Sequence, residues 1–182
     1  MTPSTKAQQP THSVWAKLRR TLRHRWYDER DARNAVPVEL AQRLQNYVKA
    51  SETRHSGEIR ICVEASLPIS YLWRNASLHE RAVTLFGKLR VWDTEHNNGV
   101  LIYLLLAERR IELVADRGLN QKVTQVEWQQ ILDGLSAALK GGRFEEGLTQ
   151  ALAEVSALMV QHFPVVEGET NSNDLPDALD LR

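Results

Sequence analysis

Apolar residues along the chain switch between helical spacing and short strand-like stretches. Residues 38–48 carry apolar positions at helical spacing after a proline, and they predict a first helix. Residues 58–64 alternate between apolar and polar positions, which predicts a half-buried strand. Helical spacing returns over 76–90. The uninterrupted apolar run 100–106 is typical of a central strand that is covered on both faces.

The second half of the chain continues with a hairpin and two helices. Residues 111–115 alternate again just after a polar break, which favours a hairpin with the preceding strand. Helical spacing over 125–140 and 144–162 predicts two further helices, and Gly141 and Gly142 separate them.

This order of elements predicts one α/β domain, a three-layer α/β/α sandwich with a small mixed sheet. The helix between the first two strands makes them parallel with a right-handed crossover, and the third strand follows as an antiparallel hairpin. If the hairpin turns at residues 107–109, Asp116 lies opposite Val100 and beside Asn98. One end of the sheet then collects three loops.

Oxygen-bearing side chains are concentrated in those loops. Carboxylate and amide oxygens are the ligands that calcium and magnesium prefer, so the sequence predicts a divalent-cation site there. Its predicted ligands are Asp93, Glu95, Asn98 and Asp116. The alternative is that the Asp and Asn residues only cap turns. Arg54, His96 and Arg117 lie in the same loops, where an arginine could neutralise a phosphate and the histidine could act as a general acid.

The amino-terminal segment predicts an amphipathic helix with a basic surround. Its apolar positions fall on one helical face, and Arg19, Arg20 and Arg23 lie around it. The apolar positions are Trp15, Leu18, Leu22 and Trp26. This face could lie on an anionic membrane or contact a partner. It could also pack on the domain, which is the commoner fate of such a helix in a soluble protein, and the sequence favours this second alternative slightly.

Charge divides the chain into three segments: a basic arm, residues 1–35, with a net charge of +5; a domain, residues 36–164; and an acidic tail, residues 165–182, with a net charge of −4. The first ten residues and the tail show no hydrophobic period, which predicts flexibility. The whole chain has no net charge, which argues against nucleic-acid binding. It also shows no secretory signal and no apolar run of the roughly 20 residues that span a membrane, so a cytoplasmic location is expected.

Three ordered motifs resemble the TPM domain family. They cover residues 55–60, 89–104 and 111–118, and the likeness extends from about Pro37 to Pro164. The family is typified by a thylakoid-lumen acid phosphatase, photosystem II repair proteins and a worm receptor-accessory protein, and this chain looks most similar to its cytosolic bacterial branch.

The resemblance implies an α/β/α sandwich, calcium or magnesium binding and, for some members, phosphatase activity. Residues 98–101 match the family's entry to the second strand, and residues 116–118 match the turn after the third. Many relatives carry an acidic strand before the first helix and a transmembrane helix, which this chain lacks. Two functions therefore remain open: metal-assisted hydrolysis of phosphate monoesters, and a noncatalytic accessory module that binds a protein partner or a membrane-associated complex.

Overall fold

The computed structural model describes residues 14–165 and 178–182. The helices are α1 (Val14–Arg25), α2 (Glu29–Ala35), α3 (Val38–Glu52), α4 (Ile69–Trp73), α5 (Leu78–Lys88), α6 (Arg117–Asn120), α7 (Gln125–Lys140) and α8 (Phe144–His162). The strands are β1 (Ile59–Glu64), β2 (Val100–Leu105), β3 (Arg110–Ala115) and β4 (Asp180–Leu181). The expectations for the first ten residues and for 166–177 concern residues outside these ranges.

The strands form one mixed sheet in the order β3-β2-β1-β4. β1 and β2 are parallel, and β2 and β3 form the predicted antiparallel hairpin. The predicted register was wrong by one residue, because Val100 lies opposite Ala115 rather than Asp116. The last pair before the turn is Leu105 with Arg110, so the turn has four residues instead of the three that the prediction assumed.

Helices cover both faces of the sheet and confirm the three-layer fold. On one face, α2, α3, α7 and α8 pack against Ile59, Ile61 and Val63 of β1 and the alternate residues of β2. On the other face, α4 and α5 pack against Leu101 and Tyr103. Ala32 of α2 is fully buried, so the packed core begins before residue 36.

β1 was predicted to be half-buried, and this prediction was wrong because every residue of the strand is buried. Its polar positions face α5 rather than water. Glu64 forms a buried ion pair with Arg81 of α5, whose Nε donates to Oε2 at 2.9 Å, and the Tyr103 hydroxyl donates to the same carboxylate at 2.6 Å. The carboxylate is buried because it is fully paired.

The last residues of the chain correct the expectation of a tail that is flexible from 165 onward. Asp180 and Leu181 form β4, which pairs in parallel with β1 beside Cys62 and Val63. The Arg182 backbone N–H donates to the Val63 carbonyl at 3.0 Å. A buried strand such as β1 requires partners for its backbone groups on both edges, and β4 supplies them on the edge away from β2.

Candidate functional site

The loop end of the sheet, as we call it, is where β1 and β2 begin and β3 ends. The segment before β2 folds back on itself, since the Asn98 backbone N–H donates to Thr94 Oγ1 at 3.0 Å. The Asn98 side chain is fully buried, and its Nδ2 donates to Ser56 Oγ at 3.2 Å. Its Oδ1 is buried and has no hydrogen-bond partner among the described residues.

Asp116 reaches the same place from β3. Its backbone N–H donates to the Gly99 carbonyl at 2.8 Å, which fixes it next to the Asn98 loop. Asp116 caps α6, because Oδ1 accepts from the Arg117 backbone N–H at 2.7 Å. Its Oδ2 is buried without a partner within the described part of the chain. Two of the four predicted ligands therefore meet at the loop end, each with one uncommitted oxygen.

The other two predicted ligands do not join them. Asp93 forms an ion pair with Arg90, three residues earlier, and Glu95 is exposed to solvent. Across residues 14–165 and 178–182, no group of three or more His, Cys, Asp or Glu side chains could hold a metal ion. Calcium takes 6–8 oxygen ligands, and the loop end offers two unpaired side-chain oxygens, of which one belongs to a carboxylate. A cation there would need backbone carbonyls and water as further ligands.

Of the residues predicted for phosphate binding and acid catalysis, both arginines have hydrogen-bond partners within the domain, and the histidine lies at the surface. Arg54 Nη2 donates to Ser156 Oγ of α8 at 3.0 Å, and Arg117 Nε donates to Asn97 Oδ1 at 3.2 Å. His96 is exposed. Both arginines thus already serve to connect loops and helices of the domain.

His55 is the titratable group at the loop end whose environment is most unusual. It is fully buried, and its Nδ1 lies 2.9 Å from the Gly57 carbonyl, to which it donates. Burial lowers the pKa of His55 to about 4, against the opposing effect of the Gly57 hydrogen bond. The imidazole is therefore neutral at pH 7. The sequence around His55, just after α3, does not indicate that the side chain is buried, because the burial comes from tertiary packing.

The opposite end of the sheet, the hairpin end, comprises the carboxyl ends of β1 and β2 and the β2–β3 turn. Helix α1 is anchored there by its polar face. Arg20 Nε donates to Glu108 Oε1 at 2.6 Å, and His24 Nε2 donates to the same oxygen at 3.1 Å. The buried His24 ring also accepts, at Nδ1, a hydrogen bond of 3.0 Å from the Leu67 backbone N–H. A neutral imidazole can make both hydrogen bonds at once.

Glu108 is the centre of this anchor. The hydrogen bond from His24 lowers its pKa to about 2, and Arg20 contributes in the same direction while burial opposes both. Arg20 also donates to the Ala76 carbonyl at 3.1 Å, so the anchor includes the segment between α4 and α5. The carboxylate is ionised at any physiological pH and holds α1 on the domain.

The apolar stripe of α1, which we define as Trp15, Leu18, Leu22 and, directly after the helix, Trp26, faces solvent. These side chains are 74%, 48%, 52% and 83% exposed. Two positions further along a helix correspond to a rotation of about 200°, so Arg20 and His24 lie on the side opposite Leu18 and Leu22. The expectation that the stripe packs on the domain was therefore wrong: α1 does dock, but through its polar face.

Arginines border the stripe on the exposed side of α1. Arg19, Arg23 and Arg25 are all exposed, and the helix contains no acidic residue. Helix α4, which packs against α1, adds Ile69 at 69% and Trp73 at 80% exposure. The hairpin end therefore presents a large apolar and basic surface. No helix within the described residues is long and apolar enough to cross a membrane.

Comparisons with known proteins identify the family. A TPM domain model matches residues 30–158. The fold is similar to the solution structure of BA42 from Bizionia argentinensis, with 23% identity, a TM-score of 0.70, and coverage of 80% of this chain and 94% of that one. The amino-terminal domain of a P. gingivalis protein is also similar, with 19% identity, a TM-score of 0.58, and coverage of 71% and 82%. No curated protein matches. The chain belongs to the TPM domain family.

Proposed function

We propose that this protein is a noncatalytic accessory module that attaches to an anionic membrane surface through the apolar stripe of α1. The observation that supports the proposal most strongly is the orientation of α1. Its polar side is used for anchoring, at Arg20 and His24, while its apolar side is left in water. An exposed apolar face of this size on a helix that is already docked marks a contact with another surface.

A bilayer fits the composition of this face better than a protein partner does. Tryptophan favours the membrane–water interface, and the stripe begins and ends with one. Each arginine near an anionic surface contributes about 1 kcal/mol, and Arg19, Arg23 and Arg25 are available for it. For a protein in the cytoplasm, as the sequence predicts, the inner leaflet supplies that negative charge.

The loop end supports the noncatalytic part of the proposal. Arg54 and Arg117 are engaged with other side chains of the domain. The described residues contain no cluster of three titratable side chains that could bind a metal ion, and Cys62 is buried on β1, where burial raises the pKa of its thiol. Among the described residues of the loop end, neither a nucleophile nor an unengaged arginine is positioned for phosphate chemistry.

The attachment is tested by co-sedimentation of the full chain with vesicles. We expect binding to vesicles with 30% phosphatidylglycerol, about tenfold weaker binding at high salt, and little binding to pure phosphatidylcholine. The double variant Leu18→Glu/Leu22→Glu should lose binding. Val38→Glu/Val126→Glu is the matched control, since both valines are exposed on other helices. A wild-type chain that stays in the supernatant with anionic vesicles at low salt would overturn the membrane attachment.

A second function, divalent-cation binding with phosphatase activity, is favoured by one observation: the unpartnered Oδ1 of Asn98 and Oδ2 of Asp116. These two atoms would hold the ion. When bound, calcium or magnesium would polarise a phosphoryl oxygen and lower the pKa of a coordinated water. The resemblance to TPM phosphatases motivates this candidate.

Amide NMR during calcium and magnesium titration tests the second function. Saturable shifts confined to residues 93–99 and 116–118, and absent in Asp116→Asn, would support the site. Release of phosphate from p-nitrophenyl phosphate by the loaded protein, above a buffer blank and lost in the same variant, would support the activity. Amides that do not move at millimolar ion would eliminate both.

A further inference from the structure

A cavity of about 430 Å³ opens at the hairpin end, between the β2–β3 turn, the end of α7 and the start of α8. Its walls include Leu106, Ile111, Leu139 and Phe144, which are only partly buried although all four pack against the main core. Pockets of this size with mostly apolar walls are typical of sites for small amphiphilic ligands. None of the residues considered so far for cation or phosphate binding lines this cavity.

The rim of the cavity is positively charged. Arg109, Arg110 and Lys140 line it and are exposed. Arg110 lies 3.7 Å from Glu108, whereas Arg109 and Lys140 form no ion pair with any residue in the described part of the chain. The rim therefore has two cations available for an anionic group.

The acidic residues near the rim do not cancel this charge: Glu108 is shared by Arg20, His24 and Arg110, and the two carboxylates at the start of α8 have partners of their own. Glu145 accepts from Arg43 at 2.8 and 3.0 Å, and Glu146 accepts from Arg143 at 3.2 Å. Each carboxylate is thus balanced by its own arginine. The charge that remains unbalanced beside the apolar walls is positive.

Arg109 also stands in an unfavourable backbone conformation. Its φ is +50°, in the left-handed region that costs a residue other than glycine or asparagine about 1 kcal/mol. Arg90, at φ +59°, has a partner in Asp93. Arg109 forms no comparable ion pair among the described residues. Glycine would adopt this positive φ at a lower energetic cost. The Arg109 side chain at the rim gives a reason for an arginine at this position.

We propose that this cavity binds one anionic phospholipid, with an acyl chain against Leu106, Ile111, Leu139 and Phe144 and the phosphate between Arg109 and Lys140. Apolar walls with a cationic rim match the two chemical halves of such a molecule. The inference goes beyond membrane attachment, because it concerns a single lipid in a cavity rather than a helix on a surface. Glu108 contacts both Arg20 of α1 and Arg110 of the rim, so helix α1 and the cavity lie at the same end of the sheet.

The test uses the full chain and a lipid that is soluble as a monomer, so it does not require attachment to a bilayer. Dihexanoyl phosphatidylglycerol below its micelle concentration is titrated into the ¹⁵N-labelled protein. We expect saturable amide shifts at residues 106–111 and 136–144. Dihexanoyl phosphatidylcholine should bind about tenfold more weakly, because its head group carries no net charge.

Two variants separate the halves of the site. Arg109→Gln/Lys140→Gln should weaken binding roughly tenfold through the loss of charge-assisted contacts. The exposed pair Lys49→Gln/Lys88→Gln makes the same change of charge elsewhere and should have no effect. Ser136→Phe fills the cavity and should abolish binding, whereas Ala137→Phe, on the exposed side of α7, should not.

Three results would overturn the proposal. Inorganic phosphate that shifts the same amides with the same affinity would reveal an anion site without a place for the chain. Equal binding of the two lipids would remove the role of the rim. Shifts that survive Ser136→Phe would locate the lipid elsewhere. Because Leu18→Glu/Leu22→Glu leaves the cavity intact, it should still bind the soluble lipid, even if vesicle binding is lost or was never present.

Discussion

At the loop end of the sheet, polar side chains hold the backbone together, whereas at the hairpin end apolar and basic side chains face solvent. Asn98 is fully buried and hydrogen-bonded to Ser56 from the neighbouring loop, and Asp116 caps α6. At the hairpin end, the partly buried Glu108 anchors α1, and Trp15 and Trp73 are at least 74% exposed. The polar side chains of the loop end bind one another and the backbone, whereas the hairpin end exposes an apolar and basic surface to solvent.

This difference shows that Asp and Asn in a loop can serve the hydrogen bonds of the loop itself, as Asn98 and Asp116 do here. In open α/β sheets, ligands bind outside the carboxyl ends of the parallel strands. For β1 and β2, that is the hairpin end rather than the loop end. The exposed stripe and the cavity both lie there, in agreement with this rule.

The largest effect is expected where the loop end is most tightly packed. A Cβ on Gly99 would lie 1.9 Å from the Val91 carbonyl oxygen. Because that neighbour is backbone and cannot rotate away, Gly99→Ala should lower the free energy of unfolding by about 3 kcal/mol or more. Gly87→Ala is the control, since nothing lies within 4 Å of its Cβ position in α5, and it should be neutral or stabilising. Urea unfolding measures both, and equal midpoints would contradict the tight packing.

His55 should make the loop end sensitive to mild acid. Its pKa is lowered to about 4 in the folded state, so between pH 6.5 and 4 the unfolded chain binds a proton that the folded chain does not. The free energy of unfolding therefore decreases as the pH is lowered from 6.5 to 4, by about 3 kcal/mol in total. His55→Asn retains a donor for the Gly57 carbonyl and should lose this dependence. Urea unfolding at pH 7 and pH 4.5 measures the difference, and parallel losses in both proteins would exclude His55 as the cause.

Much of the fold could be predicted because it follows from local periodicity. The spacing of apolar residues gave α7 and α8 with the bounds that the structure shows, and the order of elements gave the parallel pair and the hairpin. β4 was missed because two residues carry no period. The full burial of β1 was not predicted, because an alternation of apolar and polar residues does not reveal that Glu64 forms a buried ion pair with Arg81.

The candidate sites were less predictable because they depend on contacts distant in sequence. Amphipathicity identified the apolar face of α1, but not that Arg20 would find Glu108, 88 residues away, and turn the stripe outward. The predicted hairpin placed Asp116 near the Asn98 loop, and the Asp116 backbone N–H does donate to the Gly99 carbonyl, although the register differs by one residue. The loop sequence could not show that Asp93 would form an ion pair with Arg90. The cavity has no sequence signature, since its walls come from β2, β3, α7 and α8.

Glu108 should give the hairpin end a different acid window. Its pKa is lowered to about 2, so its contribution is complete above about pH 4.5 and is lost as the pH falls toward 2. After allowance for solvent screening, that contribution is about 2 kcal/mol. Glu108→Gln should lose it at pH 7 and also increase hydrogen exchange in α1. Exchange in α1 that equals the wild-type rate would show that Arg20 and His24 do not depend on this carboxylate.

The smallest effect concerns the role of Asp116 at the loop end. Asp116 caps α6 through Oδ1, so Asp116→Ala should lower the free energy of unfolding by about 1 kcal/mol. Asp116→Asn keeps a side-chain oxygen for the Arg117 N–H and should be within about 0.5 kcal/mol of the wild type in EDTA. A carboxylate needed for its charge would instead make both variants equally unstable. Because the cap requires only an oxygen and a cation requires the charge, urea unfolding repeated with calcium distinguishes a loop end that is merely closed from one that holds an ion: only the second gains stability in the wild type and not in Asp116→Asn.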